Sequence, residues 1–382
     1  MSGRWRTIVL SIFGVGLAVS ISGAEAAAGV LLLAWVGRRI MRLSSSTEER
    51  SPLEVPVVIY AIWGVVATAL AGGPALEAVR AHSALLLFFI AFKDWTVDDN
   101  DTWLTWFCVA AAVSGLIAVT QSALRINRLP FHDELVVPGA FASWPHRLVR
   151  GLALRDGRAV GTRSHPLTFA EVLLPAVFLL AAAPPRSLRT KPALRWTAAA
   201  LVLAGIVLSQ ARGVWLGLFA GAAALAVVMR RPGVRLAVAA AAVAAVLAVA
   251  VVPRLRARAL SIVSPTAGDV ADRDSRSTRF QIWSAAFAEI REHPIRGAGL
   301  DGVVLHVTDP TTGLDRVWTE THDCFLQVAA ERGVVGLGLL LWIFALAVLL
   351  ALRNGGGWRA AGVAILAGLI VAGLTESWIH DK

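Results

Sequence analysis

The chain has 382 residues, of which 57% are hydrophobic and 16% are charged. Soluble domains contain roughly 45–50% apolar and 25% charged residues, so this composition excludes an ordinary soluble protein and indicates an integral membrane protein. The formal net charge is +10 at pH 7. Because basic loops beside anionic lipid headgroups account for such an excess, we expect membrane lipids and no nucleic acid as partners.

Apolar segments recur along almost the whole chain. A spanning helix needs about 20 mainly apolar residues, or about 17 when it is short, and about eleven segments meet this rule. In chain order they are Thr7–Ser22, Ala24–Ile40, Leu53–Ala71, Leu76–Phe92, Trp103–Ala123, Pro166–Pro184, Trp196–Gln210, Gly213–Met229, Leu236–Val252, Val334–Leu352 and Trp358–Trp378. We therefore predict an all-α fold, a polytopic transmembrane helix bundle of about eleven or twelve spans that forms one domain over residues 1–382.

The basic residues predict the orientation of the bundle, because cytoplasmic loops collect Arg and Lys. With the N-terminus inside, most Arg and Lys residues of the short loops are cytoplasmic, and only Arg80 and Arg212 lie in short loops on the other side. This orientation places residues 124–165 and 253–322 on the periplasmic face. The 124–165 loop is rich in arginine against the trend, which suggests that it binds something anionic.

The second periplasmic loop, residues 253–322, has balanced charge and contains an amphipathic segment. Within Ser277–Glu292, apolar side chains recur at helical spacings of three and four, a pattern typical of a helix that lies on the membrane or caps the bundle. These side chains are Phe280, Trp283, Phe287 and Ile290. The glycines that follow, Gly297 and Gly299, are expected to end the helix and turn the chain.

Two motifs place an arginine at an edge of the membrane. The first is Ser209–Trp215, a charged break between two spans that contains Arg212. Its guanidinium either snorkels from a tight turn or holds a phosphate or pyrophosphate at the outer leaflet. The second is Gly161–Leu167, a basic loop with Arg163 that re-enters the bilayer. Here Pro166 could simply occupy the first position of a helix.

A third motif, Asp274–Trp283, carries Arg276 and Arg279 at the start of the amphipathic helix. Surface ion pairs with Asp272 or Asp274 are one explanation for these arginines. Binding of an anionic substrate is the other.

The fourth motif is Thr319–Gln327, which is followed by Glu331–Gly336. His322 lies where the long loop returns to a span. It is either an ordinary interfacial side chain or a general base, because imidazole has an unperturbed pKa of about 6.5 and suits proton transfer near neutral pH.

In their order along the chain, these motifs resemble the O-antigen ligase and O-antigen polymerase superfamily of bacterial multi-spanning glycosyltransferases. The resemblance covers roughly residues 161–382. It rests on Ser-Gln-Ala-Arg-Gly at 209–213, Arg279 with Trp283, the His-Pro-Ile-Arg-Gly-Ala-Gly run at 293–299, and His322 through Gly336. The chain departs from the family at Asp323, where members often have asparagine.

The resemblance implies a GT-C-like membrane enzyme that moves a glycan from a polyprenyl (undecaprenyl) pyrophosphate donor to an acceptor hydroxyl at the periplasmic face of the inner membrane. The acceptor is a lipid A-core sugar for a ligase or the growing glycan for a polymerase. Transfer in the family is metal-independent and inverting, and no cofactor is expected.

The resemblance also implies a role for each motif residue. His322 would be the catalytic base. Arg212 and Arg279 would bind the pyrophosphate, with Arg163 as a weaker third ligand. The supporting residues would be Arg276, Glu320 and Asp323.

A lipid-linked oligosaccharide flippase is the alternative from another functional class. It would share the basic cavity but would need ionisable residues near mid-membrane on several helices. The spans are nearly free of charge, with Glu171 and Glu376 as the clearest exceptions. The polar residues collect at one face instead, which favours chemistry at the outer surface.

Overall fold

A computed structural model describes residues 3–20, 24, 26–33, 51–82, 96–128, 135–136, 145–155, 157–229, 256, 270–308 and 315–375. At 3–4, 135–136, 146–147 and 270–277 only the backbone is described. The described chain is mainly helical, which confirms the predicted all-α polytopic bundle. It divides into a first unit, residues 1–48, 87–225 and 355–369, and a second unit, residues 49–86, 226–354 and 370–382.

The described helices include eight that overlap predicted spans and three that lie in the predicted loops. They are α1 (Gly3–Val19), α2 (Glu54–Leu70), α3 (Val97–Leu124), α4 (His146–Gly151), α5 (Pro166–Ala182), α6 (Arg186–Arg189), α7 (Pro192–Leu208), α8 (Arg212–Met229), α9 (Val270–Glu292), α10 (Cys324–Arg353) and α11 (Gly356–Gly373). Residues 26–33 and 75–82 are also helical.

By length and hydropathy, α3, α8, α10 and α11 can cross a membrane, and α1, α2, α5 and α7 are shorter apolar helices. The predicted span Leu236–Val252 lies outside the described residues.

Small residues allow the helices of the first unit to pack closely. A Cβ at Gly14 of α1 would collide with the carbonyl oxygen of Trp103 in α3, and Gly115 of α3 approaches the backbone of α7 in the same way. Lipid tails provide little hydrophobic drive between helices, so such close backbone packing is a main source of their association. Arg6 and Asp99 add an ion pair of 2.6 Å at the N-terminal ends of α1 and α3.

Two short β-structures lie in the long loops, and the sequence analysis did not predict them. In the first, β1 (Asn127–Arg128) pairs antiparallel with β2 (Leu135–Val136) and parallel with β3 (Leu154–Arg155). The second is an antiparallel pair of β4 (Leu305–Thr308) and β5 (Asp315–Trp318). Burial alternates along β4, which is the two-residue period of a half-buried strand.

The buried face of α9 differs from the predicted one, and the helix begins at Val270 rather than Ser277. Ile282 and Ala286 are fully buried, whereas 69% of Phe280 and 54% of Phe287 are exposed. The β4–β5 pair and α10 supply the residues that pack against Ile282 and Ala286. Of the predicted stripe, Trp283 and Ile290 do pack against this cluster, and only Phe280 and Phe287 are exposed instead.

Candidate functional site

A tight turn joins α7 to α8 and presents Arg212. The buried Ser209 hydroxyl donates a hydrogen bond to the carbonyl of Ile206 (2.7 Å) and accepts one from the N–H of Ala211 (3.2 Å). Gln210 has a φ of 54°, in the left-handed region that few non-glycine residues adopt. Arg212 is half-buried and is the first residue of α8. Its charge therefore lies beside the positive end of an 18-residue helix, a setting that favours anions.

The loop before α5 gives Arg163 a structural contact. Its Nη2 donates a hydrogen bond to the carbonyl of Leu17 at 2.6 Å. Leu17 lies in the last turn of α1, where carbonyls lack partners within the helix, so Arg163 caps that helix. His165 is the N-cap of α5, and its Nδ1 accepts from the N–H of Leu167 at 3.3 Å. Pro166 does begin a helix, as one of the two explanations of this motif predicted.

A buried glutamine holds the loop just ahead of Arg163. The amide oxygen of Gln121 accepts from the N–H groups of Val160 (3.1 Å) and Gly161 (3.0 Å). Its amide nitrogen donates to the carbonyls of Gly151 and Gly161, both at 3.1 Å. The loop conformation that leads to Arg163 is therefore fixed from within α3.

In the second unit, α9 carries Arg276 and Arg279. Arg279 is half-buried, and the side chain of Arg276 lies outside the described part of the helix. Trp283, one helical turn after Arg279, donates a hydrogen bond from Nε1 to the carbonyl of Thr321 at 2.9 Å. This bond fastens the helix that bears Arg279 to the turn that bears His322.

His322 is held in an unusual backbone and ring environment. Its φ is 54°, and its ring meets the Trp318 ring edge to face, with 5.6 Å between centroids. Burial, and next to it the positive charge of Arg279, lowers the pKa of His322 from 6.5 to about 4. The imidazole is therefore uncharged at neutral pH and has a nitrogen lone pair that can accept a proton.

The residue after the histidine caps α10. Asp323 is the N-cap, and its Oδ1 accepts from the N–H of Leu326 at 2.8 Å. Burial raises the pKa of Asp323, while the N–H groups of Leu326 and Phe325 act in the opposite direction. Glu320 is half-buried. The carboxylate of Asp323 thus has a helix-capping role that the resemblance did not imply.

Two of the resemblance motifs interlock through their backbones. α10 is broken at Gly333, which has a φ of 65° and a ψ of −174°. Such a break removes intrahelical partners from the carbonyls of the preceding turn. The carbonyl of Ala330 accepts from the N–H of Ala298 (2.8 Å), and that of Glu331 accepts from the N–H of Gly299 (2.9 Å). The loop after α9 therefore fills the break in α10.

The glycines of both motifs are required by this contact. The carbonyl of Arg332 accepts from the indole N–H of Trp63 at 2.8 Å, so three successive carbonyls are satisfied from outside α10. A Cβ at Gly297 would collide with the α10 backbone, and one at Gly333 would collide with the carbonyl of Ile295. These parts of the motifs serve packing, and they set the position of the helix that follows His322.

One arginine in the motifs is used inside the fold. Arg332 is buried, donates a hydrogen bond to the Tyr60 hydroxyl, and lies with its guanidinium carbon 4.8 Å from the Tyr60 ring centroid. It joins α10 to α2 within the second unit, so we assign it no substrate role.

The structure brings Arg279 and His322 together within the second unit, and it places Arg163 and Arg212 in the first. Among the described residues, no group of three or more His, Cys, Asp or Glu side chains is arranged to hold a metal ion.

Two residues around His322 were given no role by the sequence: Gln327, which ends the fourth motif, and Trp318, which lies just before it. An amide in an apolar helix is costly to bury unless it is hydrogen-bonded, and that rule was the available signal for Gln327. The Trp318 contact had no comparable signal, because it depends on the unpredicted strand β5.

Residues 197–341 match the family model described as O-antigen ligase. The matched region contains the turn at Arg212, the amphipathic helix, and the histidine motif, and it confirms the resemblance for this part of the chain. No curated protein matches the sequence.

Proposed function

Starting from the O-antigen ligase domain at residues 197–341, we propose that this multi-pass membrane protein is an O-antigen ligase-type glycosyltransferase. It transfers a glycan from an undecaprenyl pyrophosphate donor to a hydroxyl of lipid A-core at the periplasmic face of the inner membrane. The observation that carries the proposal is the hydrogen bond from Trp283 to Thr321, which ties the helix of Arg279 to the turn of the partly buried His322 inside the matched region.

The chemistry of this pair suits a single displacement. The acceptor hydroxyl attacks the anomeric carbon of the donor sugar, and its proton passes to a nitrogen of His322. The bond between the anomeric carbon and the pyrophosphate oxygen breaks at the same time, with inversion. Negative charge grows on the departing pyrophosphate, and the guanidinium of Arg279 stabilises it.

Other residues enter the proposal through the resemblance. Arg212, at the N-terminus of α8, is proposed as a second pyrophosphate ligand. Arg163 is retained as a weaker third, although its contact with Leu17 gives it a capping function as well. Arg276, Glu320 and Asp323 are proposed as supporting residues.

Arginines can replace a metal ion in this reaction because planar guanidinium groups bind phosphate oxygens in pairs. We therefore propose that transfer needs no divalent cation. A polymerase of the same superfamily would use the same donor chemistry and differ only in its acceptor.

The test is transfer by the purified protein in proteoliposomes, with an undecaprenyl-pyrophosphate-linked glycan as donor. Lipid A-core is offered as acceptor together with the lipid-linked glycan itself, and the extended product is identified by gel mobility and mass. Extension of lipid A-core supports the ligase, whereas extension of the lipid-linked glycan supports the polymerase. Movement of the intact donor across the membrane without a new glycosidic bond would contradict both and favour a flippase.

A further inference from the structure

The side chain of Gln327 is fully buried one turn inside α10, and it reaches back to the segment that precedes the helix. Its Oε1 accepts a hydrogen bond from the N–H of Thr321 at 2.8 Å. Its Nε2 donates to the carbonyl of Thr319 at 3.2 Å and to the Oε1 of Glu331 at 3.0 Å. The amide therefore binds the backbone of two of the three residues that precede His322, Thr319 and Thr321.

The arrangement leaves the amide one possible orientation. If it were flipped, its oxygen would face the Glu331 carboxylate and the Thr319 carbonyl, and its NH₂ group would face the Thr321 N–H. An acceptor would then face an acceptor at two of the contacts, and a donor would face a donor at the third. Glu331, which is also fully buried, therefore fixes the direction in which Gln327 presents its acceptor.

The segment that Gln327 holds is conformationally costly. A non-glycine residue in the left-handed region is strained and persists only where its surroundings determine it. His322 is such a residue. The buried Thr321 is bound from both sides, since its N–H donates to Gln327 and its carbonyl accepts from Trp283. Its hydroxyl also donates to the carbonyl of Asp323 at 2.8 Å.

From these contacts we infer that Gln327 is a positioning residue for His322. Acting through Thr321 and Thr319, it fixes the backbone from which the imidazole projects toward the acceptor hydroxyl. This inference rests on the proposed function, because it gives Gln327 a role only if His322 accepts the proton.

Two substitutions separate positioning from simple filling of the core. Gln327→Leu keeps most of the volume and removes all three hydrogen bonds. Gln327→Glu keeps an acceptor for the Thr321 N–H, but its second oxygen can donate to either Thr319 or Glu331 only when the introduced carboxyl is protonated. Once ionised, that oxygen faces the Thr319 carbonyl and the Glu331 carboxylate, so acceptor opposes acceptor at both contacts.

The experiment measures kcat and the KM for donor between pH 4 and 9, with an undecaprenyl-pyrophosphate-linked glycan and lipid A-core. For Gln327→Leu we expect kcat to fall about ten- to a hundred-fold, the cost of a displaced catalytic group, with little change in KM. For Gln327→Glu we expect the rate to decline as the pH rises and the introduced carboxyl ionises. The wild-type rate, in contrast, should decline as the pH falls and His322 is protonated.

Gln281 provides the matched control, because it is a half-buried amide on α9. Gln281→Leu and Gln281→Glu should keep the wild-type kcat and pH profile. If Gln327→Leu also keeps both, the positioning role is wrong. If Gln327→Leu fails to fold, a pH-independent rate for Gln327→Glu overturns the inference instead. His322→Ala tests the proposed function separately. If that variant keeps full activity, His322 is not the base, whatever the Gln327 variants do.

Discussion

The indole Nε1 of Trp283 donates a hydrogen bond to the carbonyl oxygen of Thr321 at 2.9 Å. The bond joins residues that are 38 positions apart and crosses from α9 to the segment before α10. Since Arg279 lies one turn from Trp283 and His322 follows Thr321, the bond maintains the distance between the proposed pyrophosphate ligand and the proposed base.

Trp283→Phe removes this donor and keeps an aromatic side chain in the core. The buried Thr321 carbonyl then lacks its partner, at a cost of about 1–3 kcal/mol. We expect kcat to fall by roughly tenfold through misplacement of His322 relative to Arg279. Trp342→Phe is the control, because Trp342 lies on α10 with 43% of its surface exposed. Equal rates for the two variants would show that the bond does not position the site.

The membrane character and most of the helix positions followed from the sequence, because a spanning helix must satisfy its own backbone in lipid and therefore has a characteristic length and composition. The site was predictable only in part. His322 and Arg279 were identified because their residue types and order resembled a family.

Their setting was not predictable, because it depends on contacts between segments distant in sequence. The His322 ring meets Trp318, which belongs to a strand that hydropathy did not reveal. The break at Gly333 is filled by a loop whose register no local pattern specifies. A single sequence shows which glycines are present and not which backbone approaches them.

Arg279→Ala should reduce transfer to a small residual rate while the protein stays folded in the membrane, because it removes the charge that stabilises the departing pyrophosphate. Arg279→Lys should restore little activity, since an ammonium lacks the planar pair of donors. Arg291→Ala is the control on the same helix, where Arg291 is exposed. Binding of undecaprenyl pyrophosphate, measured by its protection against thermal unfolding, should weaken for Arg279→Ala and remain unchanged for Arg291→Ala.

Transfer by the wild type should continue in the presence of a chelator. The proposal uses arginines where other glycosyltransferases use a divalent ion, so EDTA should leave the rate unchanged. Loss of activity in EDTA that added Mg²⁺ or Mn²⁺ restores would show that the arginines do not replace a metal.

Gly333→Ala should strongly destabilise the fold. Its φ of 65° and ψ of −174° lie in a region essentially restricted to glycine, which costs an alanine about 1–3 kcal/mol, and the added Cβ would also collide with the carbonyl of Ile295. Gly338→Ala is the matched control on the same helix, because a Cβ there meets no atom within 4 Å. Thermal unfolding in detergent should be shifted well down for Gly333→Ala and be unchanged or slightly raised for Gly338→Ala. Equal midpoints would contradict the interlocked packing.

Cysteine labelling from outside intact spheroplasts tests the orientation. The native Cys108 and Cys324 are buried and should react little. Ser284→Cys, exposed on α9, should be labelled because the loop of residues 253–322 is predicted to be periplasmic, whereas Ser187→Cys, exposed on α6, should be protected. The reverse pattern would overturn the topology.

His322→Ala should reduce kcat by about 10²–10⁴-fold, the usual contribution of a positioned base. Donor binding, which is assigned to the arginines, should change little. His322→Gln can hydrogen-bond but cannot take a proton, so it should be nearly as poor, and near wild-type turnover would show that the residue only positions the acceptor.

The pH dependence of the wild type gives the sharper check on His322. Because burial and Arg279 lower its pKa to about 4, the imidazole stays in its basic form well below neutrality. The rate should therefore be flat from neutral pH down to near 5 and fall only as the pH approaches 4. The residual activity of Arg279→Ala should begin to fall at a higher pH than that of the wild type, since one cause of the lowered pKa of His322 is removed. Arg279→Lys keeps the positive charge, so its rate should fall at the same pH as that of the wild type. An acid limb near 6.5 in the wild type, unmoved by Arg279→Ala, would mean that another group carries the proton.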